Sequence, residues 1–215
     1  MRSIHADTFN HDEEAAGYDE DVADESNPIR AGYGATLEWV VERAAVGIGD
    51  DVVDLGIGTA NLAVRLPSCR RLVGVDVSEQ MLGLAKAKLH GSPSVELVHA
   101  DLLEFLDRPA TFDAIVSTYA IHHLVAHEKA TLIERAAARL APGGRLVVGD
   151  LMASSRSAVD GVRARLRHPD ADSFFVEEFP WFVDETLAIF DGAGFTGVAV
   201  QQFSDLSWGL AARRR

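Results

Sequence analysis

Apolar positions along the chain gather into short continuous runs, separated by stretches with helical spacing. Val52-Val53-Asp54-Leu55, Leu72-Val73-Gly74-Val75, Val95 to His99, Ala114-Ile115-Val116 and Leu146-Val147-Val148 are runs of this kind, and they suit strands buried on both faces. Between them, Asn61 to Leu66, Glu79 to Leu89, Leu102 to Leu106 and Glu128 to Leu140 read as helices. Strand, helix, strand repeated in this way implies right-handed crossovers and a mostly parallel sheet covered on both sides. Ahead of the first strand, Ala35 to Val46 places Leu37, Val40, Val41 and Ala44 on one helical face and ends near Gly47 and Gly49.

After Asp150 the pattern changes. Ser154 to Arg167 reads as a helix with Val159, Val162 and Leu166 on one face, and Ser173 to Phe182 is crowded with aromatics. Asp184 to Phe190 is a further helix closed by Gly192-Ala193-Gly194. Val198-Ala199-Val200 and Leu206 to Leu210 read as two strands joined at Ser204-Asp205, a turn so tight that the pair must be antiparallel. The predicted layout is one structural domain: an N-terminal arm over residues 1–34 and an α/β body over 35–215 with a cap insertion at about 154–182. Arg213-Arg214-Arg215 reads as a mobile tail.

Composition narrows the function classes. At 215 residues, 47% hydrophobic and 25% charged, the chain has what a single globular core requires. Its net charge of −13 repels phosphate backbones and anionic membrane surfaces, so neither nucleic acid nor membrane is an expected partner. His11 to Glu25 carries eight of the acidic side chains and reads as a solvated arm, although Phe9, Tyr18 and Tyr33 argue for its partial docking. One cysteine, Cys69, allows no internal disulfide and fits a reducing cytoplasm; beside Arg70 and Arg71 it reads as a bystander in a turn. A polar, acidic start and the lack of a long apolar run agree with a cytoplasmic location.

In an open α/β sheet the ligand sits beyond the carboxyl ends of the strands. There the first strand ends in Asp54-Leu55-Gly56-Ile57-Gly58-Thr59-Ala60-Asn61, where glycines let backbone approach a ligand closely. Asp76, twenty residues after Gly56, completes a fingerprint for a ribose held by a carboxylate. The dinucleotide form of that fingerprint fails, because its last glycine position is Asn61 and Asp54 is a poor neighbour for a pyrophosphate. A carboxylate there suits a cationic ligand, and S-adenosylmethionine carries a ribose, a sulfonium and an ammonium but no phosphate.

Five blocks, in order, resemble those of class I S-adenosylmethionine-dependent methyltransferases: Val53 to Thr59, Gly74 to Ser78, His99 to Leu102, Phe112 to Ser117 and Leu140 to Gly144. The stretch Ser117-Thr118-Tyr119-Ala120-Ile121-His122-His123-Leu124 further resembles small bacterial members, and Phe9 with Tyr18-Asp19 resembles an N-terminal block common among them. The resemblance implies a Rossmann-like three-layer sandwich with a seven-stranded sheet, order 3-2-1-4-5-7-6, last strand antiparallel. It also implies that Asp54, Gly56 and Gly58 hold the methionine part, Asp76 the ribose and Met81 the adenine face. Asp101 would accept from the adenine amino group beside Leu102, Ser117 and Tyr119 would line the methionine end, and Tyr18 would close over the cofactor. Plainer readings stand beside these: Asp54 and Asp76 as helix caps, Met81 as core. Ala60 departs from the family, whose loop often has a third glycine there.

Methyl transfer is an in-line displacement in which alignment supplies much of the acceleration, and an oxygen or nitrogen acceptor must still lose a proton. His122 and His123 are the candidate bases and Tyr119 a positioning group, although a histidine after this strand can equally bond backbone and fix the loop. His123 and His127, at i and i+4, lack a third clear ligand, so no metal is expected. Ser154 to Phe182 faces the site and should shape the acceptor. Its five aromatics from Phe174 to Phe182 can wall a pocket or pack a cap, and Arg156, Arg163, Arg165 and Arg167 can meet an anionic acceptor or solvent. The expectation is methyl transfer to a small-molecule acceptor, with a homodimer left open. A non-catalytic cofactor-binding regulator and an NAD-dependent oxidoreductase are the rivals.

Overall fold

The structure is a computed structural model and describes residues 1–215 except Phe9, Pro93 and the side chain of Glu177. Phe9, expected in the N-terminal block, therefore lies outside the described residues. Five strands, β1 (Asp51–Leu55), β2 (Arg71–Asp76), β3 (Val95–His99), β4 (Phe112–Thr118) and β5 (Leu140–Ala153), pair parallel in the order β3-β2-β1-β4-β5. Beyond β5 lies β8 (Ser207–Arg214), antiparallel to both of its neighbours, and then β7 (Phe195–Gln202) at the edge. A two-residue strand, β6 (Trp181–Phe182), adds parallel to β5 at Met152 and Ala153, off the main path. With β6 set aside, the seven strands follow the expected order and the last in sequence is the antiparallel one.

Period-two alternation divides each central strand between two cores. Val53, Leu55, Val73, Val75 and Ile115 meet Leu103 and Leu106 of α4 (Leu102–Asp107), Leu132, Ile133 and Ala136 of α5 (Ala126–Arg139), and Phe190 of α8 (Val183–Gly192). Val52, Leu72, Ala114, Val116 and Val147 meet Leu37, Val40 and Ala44 of α2 (Tyr33–Ala44) and Ala85 of α3 (Glu79–Lys88). The seat of α2 depends on Gly149 of β5, where an added Cβ would stand 2.4 Å from Thr36 Cγ2 and 3.0 Å from Val40 Cγ2.

Several expectations change. Asn61 to Leu66 forms no α-helix, only a 3-10 turn at Ala63–Arg65. Leu66 is extended, φ −68° and ψ 142°, as a residue before proline prefers. The helix expected over Ser154 to Arg167 starts later, as α6 (Val159–Leu166), and α7 (Pro169–Glu177) follows it. The terminal arginines do not form a free tail: Arg213 lies opposite Arg145 of β5, and Arg215 meets Asp191 at 2.8 Å. The arm is docked, as its aromatics argued, and more of it than they indicated. It carries α1 (Tyr18–Ala23), and Ser3, Ala6, Ala15 and Val22 are buried. Buried Glu128 accepts from the Ile4 amide at 2.9 Å and the Ser3 hydroxyl at 3.2 Å, and Asp19 meets Lys88 at 2.6 Å. No helix among the described residues is long and apolar enough to cross a membrane.

Candidate active site

The carboxyl ends of β1, β2 and β4, the loops that follow them and the docked arm enclose a cavity of about 340 Å³. Ten of the twelve site residues expected from the sequence line it: Tyr18, Gly56, Gly58, Asp76, Met81, Asp101, Leu102, Tyr119, His122 and His123. Gly56 is left-handed, φ 76°, and a Cβ there would stand 2.2 Å from that of Ala120, so only glycine fits. Ala60 takes the same hand, φ 72°, and so adopts the backbone of the glycine it replaces at the cost of local strain.

Asp76 accepts the Gly58 amide at 2.8 Å through one oxygen and the Ser78 amide at 2.9 Å through the other. This ties the glycine turn to the end of β2, and each oxygen keeps a second lone pair for the cavity. Burial raises its carboxyl above the usual range. Asp101 caps α4, accepting from Leu103 at 2.9 Å and Glu104 at 3.1 Å, and also accepts the Ser3 amide at 3.2 Å. Asp101 is thus a helix cap, which the sequence reading did not anticipate, as well as part of the cavity wall. Met81 is buried against the cavity, with its amide bonded to the capping hydroxyl of Ser78 at 2.9 Å.

Two expected residues fall outside the lining. Asp54 is fully buried and neither carboxylate oxygen has a partner, so burial and, secondarily, the charge of Asp76 push it up to about 8. Ser117 is also buried and donates to the Leu55 carbonyl at 2.6 Å, joining β4 to β1 instead of facing the methionine end. Tyr119 does line the cavity, but its hydroxyl meets Thr36 at 3.2 Å and Ser207 at 3.0 Å, neither of them a cavity residue. Burial pushes that hydroxyl up to about 12, and because it is engaged within the fold the residue presents its ring to the cavity.

The two histidines belong to a network of which the sequence reading saw only half. Asp150, fully buried at the end of the core part of β5, accepts from the Ile121 and His122 amides at 3.0 Å, from Leu151 at 2.8 Å and from Trp181 Nε1 at 3.2 Å. It also bonds His122 Nδ1 at 2.5 Å. Glu178, just after α7, lies 2.8 Å from His123 Nδ1 and 3.9 Å from His122 Nε2. His11 of the arm reaches His123 Nε2 at 3.1 Å. Burial, then the neighbouring His122, push His123 down to about 4, so at neutral pH its contact with Glu178 joins a neutral imidazole to a carboxylate. Asp150 carried a signal, an acid ending a strand like Asp54 and Asp76; Glu178 and His11 carried none.

The cap contributes one aromatic, Phe174, to this cavity. Phe175, Phe179, Trp181 and Phe182 instead line a second one of about 420 Å³, which shares Glu178 with the first. The arginines of α6 are spent on surface ion pairs, Arg163 with Asp172 at 3.2 Å and Arg165 with Asp205 at 2.5 Å. Cys69 is not activated, because burial pushes its thiol up.

Residues 52–144 match the methyltransferase domain family. A methyltransferase of Geobacillus kaustophilus is 32% identical over 197 residues, covering 89% of this chain and 86% of that protein. Another, from Bacillus pumilus, is 31% identical over 210 residues, covering 95% and 92%. The chain belongs to the class I S-adenosylmethionine-dependent methyltransferase family. Among solved structures, magnesium protoporphyrin IX methyltransferase from Synechocystis with bound S-adenosylhomocysteine has a TM-score of 0.73 at 19% identity, with 99% of each chain covered. The N-methyltransferase NodS of Bradyrhizobium japonicum, also with S-adenosylhomocysteine, has a TM-score of 0.65 at 20% identity, covering 95% of this chain and 98% of that one. These likenesses establish the shared fold. The family's methyl donor is S-adenosylmethionine, and the residues present fit it: a glycine-only cradle at Gly56, a ribose-type carboxylate with free lone pairs at Asp76, and an unpartnered buried carboxyl at Asp54.

Proposed function

We propose that this methyltransferase acts on a small-molecule acceptor through oxygen, nitrogen or sulfur, with S-adenosylmethionine held by Gly56, Gly58, Asp76, Met81, Asp101 and Leu102. The observation that carries the reading is one cavity of about 340 Å³ whose wall holds both that cofactor group and the His122, His123 and Glu178 group. A volume of this size is that of a small-ligand pocket, roofed by an arm that leaves little room for a folded macromolecule. When bound, the cofactor supplies an already activated methyl. The chain's own part is alignment, water exclusion and handling of the acceptor's proton.

For that last task the structure favours His122 over Tyr119. Asp150 takes Nδ1 at 2.5 Å, which fixes the ring and leaves the lone pair on Nε2 to receive a proton from an oxygen or nitrogen acceptor. Asp54, behind the glycine turn, would give up its proton once the cofactor's cationic end lies nearby and then act through the field of its carboxylate, and Tyr18 through closure of the arm. A non-catalytic regulator would have no use for an oriented histidine at the acceptor end.

The test is production of S-adenosylhomocysteine with panels of small thiols, phenols and amines, run beside peptide and nucleic-acid acceptors. Turnover with a small acceptor, falling about 100-fold or more in His122→Ala for oxygen and nitrogen acceptors, is expected. Turnover with macromolecules alone would refute the acceptor class. Full activity in both His122→Ala and His123→Ala would remove histidine from the reaction.

A further inference from the structure

We propose that His122, His123 and Glu178 form a binding site for a divalent transition-metal ion of the zinc type, opening on the acceptor side of the cavity. One ligand atom from each of these residues lies within 4.8 Å of the other two. The Glu178 carboxylate stands 2.8 Å from His123 Nδ1 and 3.9 Å from His122 Nε2. With zinc-to-nitrogen and zinc-to-oxygen bonds of about 2.0–2.1 Å, the edge of a tetrahedron is roughly 3.3 Å, so the two separations bracket what one ion would impose. Two imidazoles and a carboxylate are a three-ligand set that leaves a zinc-type ion one open position, and imidazole selects such ions over magnesium or calcium.

The surroundings have the form that metal-ligating histidines need, in which a partner holds the nitrogen that does not ligate. Asp150 holds His122 Nδ1 at 2.5 Å and so turns Nε2 towards Glu178. His11 holds His123 Nε2 at 3.1 Å and so leaves Nδ1 on the Glu178 side. The pair considered from sequence, His123 with His127, is not the one assembled: His127 is exposed on α5, while a residue 55 positions beyond His123 supplies the third ligand. The ion's open position would take the acceptor's thiol, hydroxyl or amine. In a metal-loaded molecule His122 Nε2 is then a ligand and no longer a base. This last point rests on the methyltransferase reading; the binding of the ion does not.

Isothermal titration of the chelator-stripped full chain with zinc chloride tests the site, with S-adenosylhomocysteine titrated separately. One equivalent should bind to the wild type and at least tenfold more weakly to Glu178→Gln, whose affinity for S-adenosylhomocysteine stays unchanged. No stoichiometric zinc uptake by the wild type, or equal uptake by Glu178→Gln, overturns the site. If Glu178→Gln loses S-adenosylhomocysteine as well, the cobalt-loaded wild type decides. Strong visible bands of four- or five-coordinate cobalt support the site, and the weak spectrum of the hydrated ion sinks it. Zinc binding by a wild type that ignores S-adenosylhomocysteine would refute the cofactor reading and leave the metal site standing.

Discussion

Asp54 and Asp76 are near neighbours in space and differ in what satisfies them. Asp76 has two backbone amides, from Gly58 and Ser78, and Asp54 has none. Truncating Asp76 removes a partner of the glycine turn and the proposed acceptor for two ribose hydroxyls. Asp76→Ala should therefore weaken S-adenosylhomocysteine binding by about 10- to 100-fold in calorimetry, at about 1–3 kcal/mol for lost hydrogen-bond partners; unchanged affinity would sink the ribose assignment. Asp54 predicts a pH dependence. Its carboxyl is raised from 3.8 to about 8, so the folded chain binds a proton that the unfolded chain releases. The advantage is fully present below pH 3.8 and disappears as pH rises through about 8. Between these limits Asp54 alone lowers unfolding free energy by up to about 1.4 kcal/mol per pH unit. Urea denaturation of the ligand-free protein from pH 5 to pH 8 should show a steeper loss of stability in the wild type than in Asp54→Asn. Parallel curves would show that water or a hidden donor already satisfies the carboxylate.

At the scale of elements, the contact of α2 with β5 is set by a missing side chain. Thr36 cannot rotate away from Gly149 without giving up its 2.8 Å hydrogen bond to the Gly32 carbonyl. Gly149→Ala should consequently cost about 1–3 kcal/mol by overpacking, read as a lower urea midpoint at unchanged slope. A midpoint equal to the wild type would mean that α2 slides on the sheet. The strand runs were legible because a strand covered on both faces must be apolar at nearly every position, and the hairpin because so short a turn admits only one direction. The 3-10 turn at Ala63–Arg65 was less so: six residues of helical pattern say nothing about whether the chain has room to complete an α-turn before Pro67. The arginines of β8 misled for a related reason, since their charge suggested solvent while their backbone was taken up by Arg145 and Phe195.

On the scale of the whole molecule, the arm adds a wall to the cleft at the carboxyl ends of the strands, with Ser3, His5, Ala6, His11 and Tyr18 lining the cavity. Its fixings are largely acidic side chains: Asp12 accepts the Ser78 hydroxyl at 2.6 Å, Asp19 meets Lys88 at 2.6 Å, and Glu128 of the body holds Ser3 and Ile4. Glu128→Ala should release the first residues of the arm, visible as faster hydrogen exchange over 1–8, and weaken S-adenosylhomocysteine binding by up to about tenfold; unaltered exchange would show that the arm is held elsewhere. The sequence by itself determined the strand runs, the terminal hairpin, the glycine turn and the carboxylates at strand ends, because these depend on short-range pattern and on the strand-end rule for open sheets, while the strand order came with the family that those blocks resemble. Only the tertiary structure decided which of those residues face the cavity. It set Ser117 and the Tyr119 hydroxyl inside the fold, left Asp54 behind the turn, and brought His11, Asp150 and Glu178 to the histidines from 112, 28 and 55 positions away. No local pattern encodes such meetings, since they follow from how arm, sheet and cap pack against one another.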